Sequence, residues 1–235
     1  MKLMNLEKEL EPIFTSLTIK PTFDLVHIVL ALFIFEAHPD GIGRYRLENE
    51  LDIGSGTSRS LFRRLKNNIN FIKVSEEIGA TDQEKVRKGH VLTNNGRIFL
   101  NKIKKIIPLL KEGKLSILKE IIINPQNVNP YICLVKDAAD KITNGIEQRD
   151  AAIKINGSGA TCLIYNGQEF IFPSDSFSEN DLDDIRVSNK IQTYLKKRIT
   201  KANIKITKND VIIIGLGDSI KRARLAALNA ALTLL

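Results

Sequence analysis

The stretch that most restricts the fold runs from Ile42 to Lys66, IGRYRLENELDIGSGTSRSLFRRLK. It reads as two short helices joined by a glycine-rich turn. Arg44 to Leu51 sets Leu47 and Leu51 four residues apart, on one inward face. Asp52-Ile53-Gly54-Ser55-Gly56 follows as the turn, where two glycines within three residues permit backbone angles that other residues resist. Thr57 to Asn67 is the second helix, with Leu61, Phe62 and Leu65 as its apolar stripe. Its other face carries Thr57, Arg59, Ser60, Arg63, Arg64 and Lys66. Small hydroxyl residues followed by arginines suit a major groove. The hydroxyls reach phosphates or base edges, and arginine holds guanine with two hydrogen bonds. These residues, with Arg44 and Ser55 just before them, are the candidate DNA contacts. A solvated basic surface helix is the plainer alternative.

The flanks add to the pattern. Thr22 to Ala37 is a strongly apolar helix, too short and too interrupted to span a bilayer. Phe71 to Val74 reads as a short strand, Ser75 to Lys88 as a polar loop, and Gly89 to Thr93 as a second strand. Asn94 to Ile107 is helical, with Thr93 placed to cap it. Helix, helix, turn, helix, strand, loop, strand, helix is the order of a winged helix-turn-helix. The run Gly89 to Arg97 resembles the end of the wing in many regulators of that superfamily. Lys85, Arg87 and Lys88 in the wing are then candidates for phosphate or minor-groove contact, with a merely solvated loop as the alternative.

Charge follows the same stretch. The 235-residue chain carries a formal net charge of +8. Thr57 to Lys111 alone holds 13 Lys+Arg against 4 Asp+Glu, so the excess sits on the second helix, the wing and the helix after it. Clustered positive charge is the electrostatic footprint of nucleic-acid binding.

An amphipathic helix over about Leu3 to Leu17 precedes these elements, with Leu3, Leu6, Leu10 and Ile13 or Phe14 as its stripe. Such a helix ahead of a winged helix often packs on a second copy, so a homodimer is expected; packing on its own domain is the alternative. The N-terminus is charged and amphipathic, without the apolar core of a secretory signal. No stretch of eighteen apolar residues exists, so no membrane association is expected. Cys133 and Cys162 lie far apart, and neither they nor His27, His38 and His90 form a metal pattern. A cytoplasmic location with both thiols reduced is expected.

Pro108 to Lys119 reads as a connector, which puts a domain boundary near Gly113, between domains 1–112 and 113–235. Beyond it, Ser116 to Ile123 suits strand or helix, and Tyr131 to Val135 a buried strand. Ile146 to Ile155 reads as a helix. Ala160 to Tyr165 and Glu169 to Phe172 form a hairpin around Asn166-Gly167. Asp181 to Ile199 reads as a helix with acids in its first turn and bases in its last, and Asp210 to Ile214 as a strand. Ser219 to Leu235 is a closing Ala/Leu-rich helix. The expected second domain is α+β with a mostly antiparallel sheet.

Two motifs of this half could hold a ligand. Glu147, Arg149 and Asp150 lie within one helical turn, and an arginine with a carboxylate could grip a small polar effector. Equally, the acids could favour a helix N-terminus while Arg149 makes an internal ion pair. Gly215-Leu-Gly217-Asp-Ser219 could cradle a phosphate. The third glycine of a dinucleotide fingerprint is replaced by Ile220, and a tight turn with Asp218 or Ser219 as N-cap is the simpler reading. No nucleophile with a His/acid partner, P-loop or metal-spaced cluster is evident, so neither an enzyme nor a cofactor is expected.

Gly145-Ile-Glu-Gln-Arg-Asp-Ala-Ala-Ile153, Gly157-Ser-Gly-Ala-Thr-Cys-Leu-Ile164 and the hairpin ending Ile171-Phe-Pro173 resemble an archaeal two-domain family. That family has an N-terminal winged helix and a C-terminal domain of unknown function. The latter is similar in structure to the GAD domain of aspartyl-tRNA synthetase and the tRNA amidotransferase B subunit. The resemblance covers nearly the whole chain and implies a transcriptional regulator, with an undefined role for the second domain; the partner expected from the helix and its charge is duplex DNA. An RNA- or protein-interaction module, with the winged helix as a docking platform, is the alternative.

Overall fold

The computed structural model describes residues 3–15, 21–78, 85–174 and 186–235; for 3–7, 76–78 and 85–88 it describes the backbone course. The chain divides into two compact units, Met1–Ile103 and Lys104–Leu235.

The first unit contains α1 (Leu3–Phe14), α2 (Leu25–Ala37), α3 (Arg44–Leu51), α4 (Ser55–Asn67), β1 (Ile72–Ile78) and β2 (Lys85–Leu92). Most of α5 (Asn94–Ile106) also belongs to it. α2 is apolar on every side and is its core, buried from Val26 to Leu32. Leu47 and Leu51 of α3 are buried, as their spacing requires. The turn between α3 and α4 is shorter than expected, because α4 already begins at Ser55. Neither Gly54 nor Gly56 has a positive φ; the left-handed residue is Asp52, at φ 52°. An aspartate tolerates that conformation, and its N–H closes α3 on the Glu48 carbonyl.

β1 and β2 form an antiparallel hairpin with a register shift between Ser75 and Glu76. The strands run further than expected at both arms, to Ile78 and from Lys85, so the polar residues of the expected loop are partly paired. The centre of the expected loop, 79–84, lies outside the described residues. Ladder hydrogen bonds are made by the backbone, so polar side chains do not prevent the strands from continuing. Ile42 adds a bridge to His90, with N–H···O bonds of 3.0 and 2.9 Å in both directions. The bridge explains Gly89. Its φ is +123°, and a β-carbon there would lie 2.7 Å from the Ile42 carbonyl carbon and oxygen. Thr93 caps α5 as expected, accepting from the Gly96 N–H at 3.2 Å.

α1 ends at Phe14, and its Leu10 and Ile13 are buried within its own unit. Arg64 donates to the Ile13 carbonyl and Asn68 to that of Pro12. Intramolecular packing thus takes up the part of the stripe that motivated a dimer; the side chains of Leu3 and Leu6 are outside the described residues.

The second unit is α+β. Its sheet has the order β3 (Leu109–Glu112), β4 (Asn129–Val135), β7 (Val211–Gly217), β5 (Gly159–Tyr165), β6 (Phe170–Ile171), and every neighbouring pair is antiparallel. β7 is central and buried at every position. Ile132, Leu134, Ile212 and Ile214 pack with Leu118 of α6 (Leu115–Leu118) and with Ile191, Leu195 and Ile199 of α8 (Asn189–Lys201). The alternate face meets α9 (Ile220–Leu232), against which α7 (Ile146–Lys154) also packs. The result is three layers with the sheet in the middle.

Several expected elements are corrected. The connector over Pro108–Lys119 is instead the edge strand β3 followed by α6, because Leu109 to Glu112 pairs with β4 from Leu134 to Tyr131. The division between units accordingly falls inside α5, upstream of Gly113. Of the two readings open for Ser116–Ile123 the helix is the one found, as α6 continued by a 3-10 turn, Lys119–Ile121. α8 begins at Asn189, not Asp181. Arg186 bridges Ile171 and Ser188 is extended, which blocks a helix through them, so no acid stands in the first turn of α8; residues 181–185 lie outside the described residues. β7 runs on through Gly215 and Gly217, and these are not turn residues.

Candidate functional site

α4 has one packed face and one open face. Leu61, Phe62 and Leu65 are buried, and Phe62 sits between Phe35 of α2 (centroids 5.7 Å apart) and His90 of β2 (4.8 Å). This stack ties the helix to both the core helix and the hairpin. On the open side Ser55, Arg59, Arg63 and Lys66 are exposed and Ser60 half-buried. Ser55, Arg59 and Arg63 recur every four residues and so share one face. No acid occurs anywhere in α4. Thr57 is half-buried, its hydroxyl 2.7 Å from that of Thr22. Arg44, at the start of α3, lies with its guanidinium 4.9 Å from the Tyr45 ring centroid.

Arg64 departs from the expectation. It is 5 % exposed and bonds the end of α1, so it cannot present its guanidinium to a groove. Lys85, Arg87 and Lys88 lie on β2, not in a free loop, with Arg87 opposite Glu76; their side chains lie outside the described residues.

His90 belongs to the packed side. Burial, and after it the Lys66 charge, push its imidazole below the ordinary histidine range. His27 is also lowered, chiefly by burial, against the opposing pull of Asp24. Its ring Nδ1 accepts from the Asp24 N–H at 3.0 Å, which requires the neutral form.

The sequence reading did not single out Lys73 and Arg97. Both are exposed and line an open cleft of about 440 Å3 with Pro39, Ser75, Thr93 and Asn94, and among the described residues no acid lines it. The signal was available in the strand alternation. Ile72 is buried while Lys73 is exposed, so Lys73 leaves the hairpin on the side away from α4.

In the second unit, Arg149 and Asp150 pair with each other. The Arg149 Nε and Nη2 donate to Asp150 Oδ1 at 3.0 and 2.9 Å. Both are exposed, as is Glu147. Arg149 lines a cavity of about 420 Å3, to which Glu147 and Asp150 do not contribute. Gly215 and Gly217 serve packing. A β-carbon at Gly215 would lie 2.1 Å from the Ala227 nitrogen, and one at Gly217 2.4 Å from that of Ala223. The alanine face of α9 rests directly on the strand, with Ser219 as N-cap accepting from the Arg222 N–H. Cys133 and Cys162 both stand opposite Ile213, on either side of β7. Two strand spacings of about 4.8 Å keep them too far apart to bridge, and both are free and buried. Burial pushes both thiols up, that of Cys162 to about 12.

Residues 127–234 match the model of a domain of unknown function (DUF4443). The match spans β4 to α9, within the second unit. A solved structure, hypothetical protein PH0730 from Pyrococcus horikoshii OT3, is similar over 90 % of this chain and 93 % of that one, with 23 % identity and a TM-score of 0.63. The likeness is one of fold and extends across both units. No curated protein matches the chain. Among the described residues no helix is long and apolar enough to cross a membrane.

Proposed function

We propose that the first unit is a winged helix-turn-helix that binds duplex DNA, and that the protein is a transcriptional regulator whose second unit senses a small molecule. α4 enters the major groove, and the hairpin lies on the backbone or in the minor groove. The order α2, Ile42 bridge, α3, α4, hairpin supports this reading. The observation that carries it is the open face of α4. Ser55, Arg59, Ser60, Arg63 and Lys66 stand there without an acid, while the other face is fixed to the core by Phe62 and Leu65. A dimer would match paired half-sites, and sedimentation of the free protein and its complex reads it directly.

The test is duplex binding across a salt series, with DNA from upstream of the protein's own gene against scrambled DNA. A preference of about a thousandfold and a slope of several charges are expected. Arg63→Ala should weaken binding to the preferred sequence by about 1–3 kcal/mol. Equal affinity of Arg63→Ala and wild type would remove α4 from the interface. Structured RNA displacing duplex at equal phosphate concentration would favour an RNA-directed role instead.

A further inference from the structure

Four stretches separated in sequence meet at one cavity of the second unit. Gly145, Ile146 and Arg149 come from the start of α7, Ala160 to Cys162 from β5, and Phe172 and Pro173 from the end of the β5–β6 hairpin. The Ile121–Ile123 segment completes the wall. The cavity of about 420 Å3 falls among the volumes typical of small-molecule sites. Its wall is mainly hydrocarbon, yet Ile123 is 97 % exposed and Ile146 48 %. Apolar surface held in water at a cavity mouth is surface that a ligand gains by covering.

Among the described residues, the cation that lines this wall is Arg149. The aliphatic stem of Arg149 passes over Gly159, whose φ is +127°; a β-carbon there would lie 3.7 Å from the Arg149 Cγ. The guanidinium already holds one carboxylate, that of Asp150, in a pair exposed by 53 and 60 %. Exposed pairs of this kind contribute little, so one carboxylate exchanges for another at small cost. Among the described lining residues the acid is Glu120, which is engaged by the Ser188 hydroxyl at 2.9 Å and by Lys190 at 3.5 Å. The Cys162 thiol stays protonated at neutral pH and adds no negative charge.

We propose that this cavity binds a small organic anion with an apolar body, whose hydrocarbon part covers Ile121–Ile123, Ile146 and Phe172 and whose carboxylate takes the Arg149 fork. The ligand class so named is that of the effector in the regulator reading, and its regulatory meaning rests on that reading. Binding itself is measured without DNA.

The experiment is calorimetric titration of the full chain with octanoate, with octanol as the uncharged body and acetate as the head alone. Octanoate is expected to bind saturably, and both controls at least tenfold more weakly. Arg149→Met should weaken octanoate about tenfold or more and leave octanol unchanged. Ile123→Asp should weaken both octanoate and octanol. Both positions are exposed, and far-UV circular dichroism checks that each variant keeps the fold. Equal octanoate affinity in wild type and Arg149→Met, or no saturable binding to wild type in the millimolar range, overturns the proposal. Duplex affinity measured in parallel without octanoate decides the DNA reading separately, so either can fail while the other stands.

Discussion

Arg63 and Arg64 are adjacent on α4, but about 100° of helical rotation separates their side chains. That rotation sends one to solvent and the other under α1. Arg63 is exposed, whereas Arg64 is 5 % exposed and bonds the Ile13 carbonyl. The pair therefore separates affinity from stability. Arg64→Met removes a charged donor from a buried helix-end carbonyl, and a loss of about 1.5–3 kcal/mol of folding stability is expected. Chemical denaturation of the full chain reads it. Once folded, the variant should bind duplex as wild type does. If Arg64→Met instead cut duplex affinity with no change in stability, the assignment of Arg64 to the α1 contact would be wrong. Sequence alone could not make this division. The basic run Arg63-Arg64 shows one charge pattern, and only the position of α1 decides which residue is covered.

At the scale of elements, glycine divides the two units in an instructive way. In α4, Gly56 has open space around its missing β-carbon and an ordinary φ, so Gly56→Ala should stabilise the helix by about 0.5–1 kcal/mol. In β7, a β-carbon on Gly215 would meet the backbone of α9 at 2.1 Å. Gly215→Ala must push helix and sheet apart, at a cost of about 1–3 kcal/mol or more. Thermal melts that moved the same way for both variants would refute this contrast. The same two sites mark where sequence legibility stops. The apolar spacings of α3 and α4, the helices α5 and α7, the Asn166-Gly167 hairpin and the Thr93 cap are readable, because they are local and carried by neighbours in the chain. β3, the extension of β7 through its glycines and the late start of α8 are not. Each depends on a partner far along the sequence: β4 for β3, α9 for Gly215, and Ile171 for Arg186. The candidate interface was legible in its exposed arginines and missed Lys73 and Arg97. The candidate ligand residues were legible only as Arg149, since the cavity is assembled from segments that sequence places far apart.

For the whole molecule, the histidines sit asymmetrically. His27, His38 and His90 all belong to the first unit, and the second unit has none. His27 and His90 are both held below the ordinary value, with burial as the largest cause. A histidine whose folded pKa is depressed binds its proton more readily in the unfolded chain. Its destabilising effect is absent above the unfolded value of about 6.5 and grows as pH falls below it. Acidification from pH 7 to 5.5 should therefore lower the melting transition of the first unit and leave that of the second nearly unchanged. The change falls above the range in which most carboxylates titrate. Scanning calorimetry at the two pH values separates the outcomes. His90→Phe keeps an aromatic ring against Phe62 and removes the titrating group, so it should reduce the acid sensitivity of the first transition. An equal downward shift of both transitions, or the same sensitivity in His90→Phe, would show that these imidazoles do not set the acid response. Were duplex affinity to fall over the same pH range, the His90→Phe variant would show whether it falls through the Phe62 contact that seats α4.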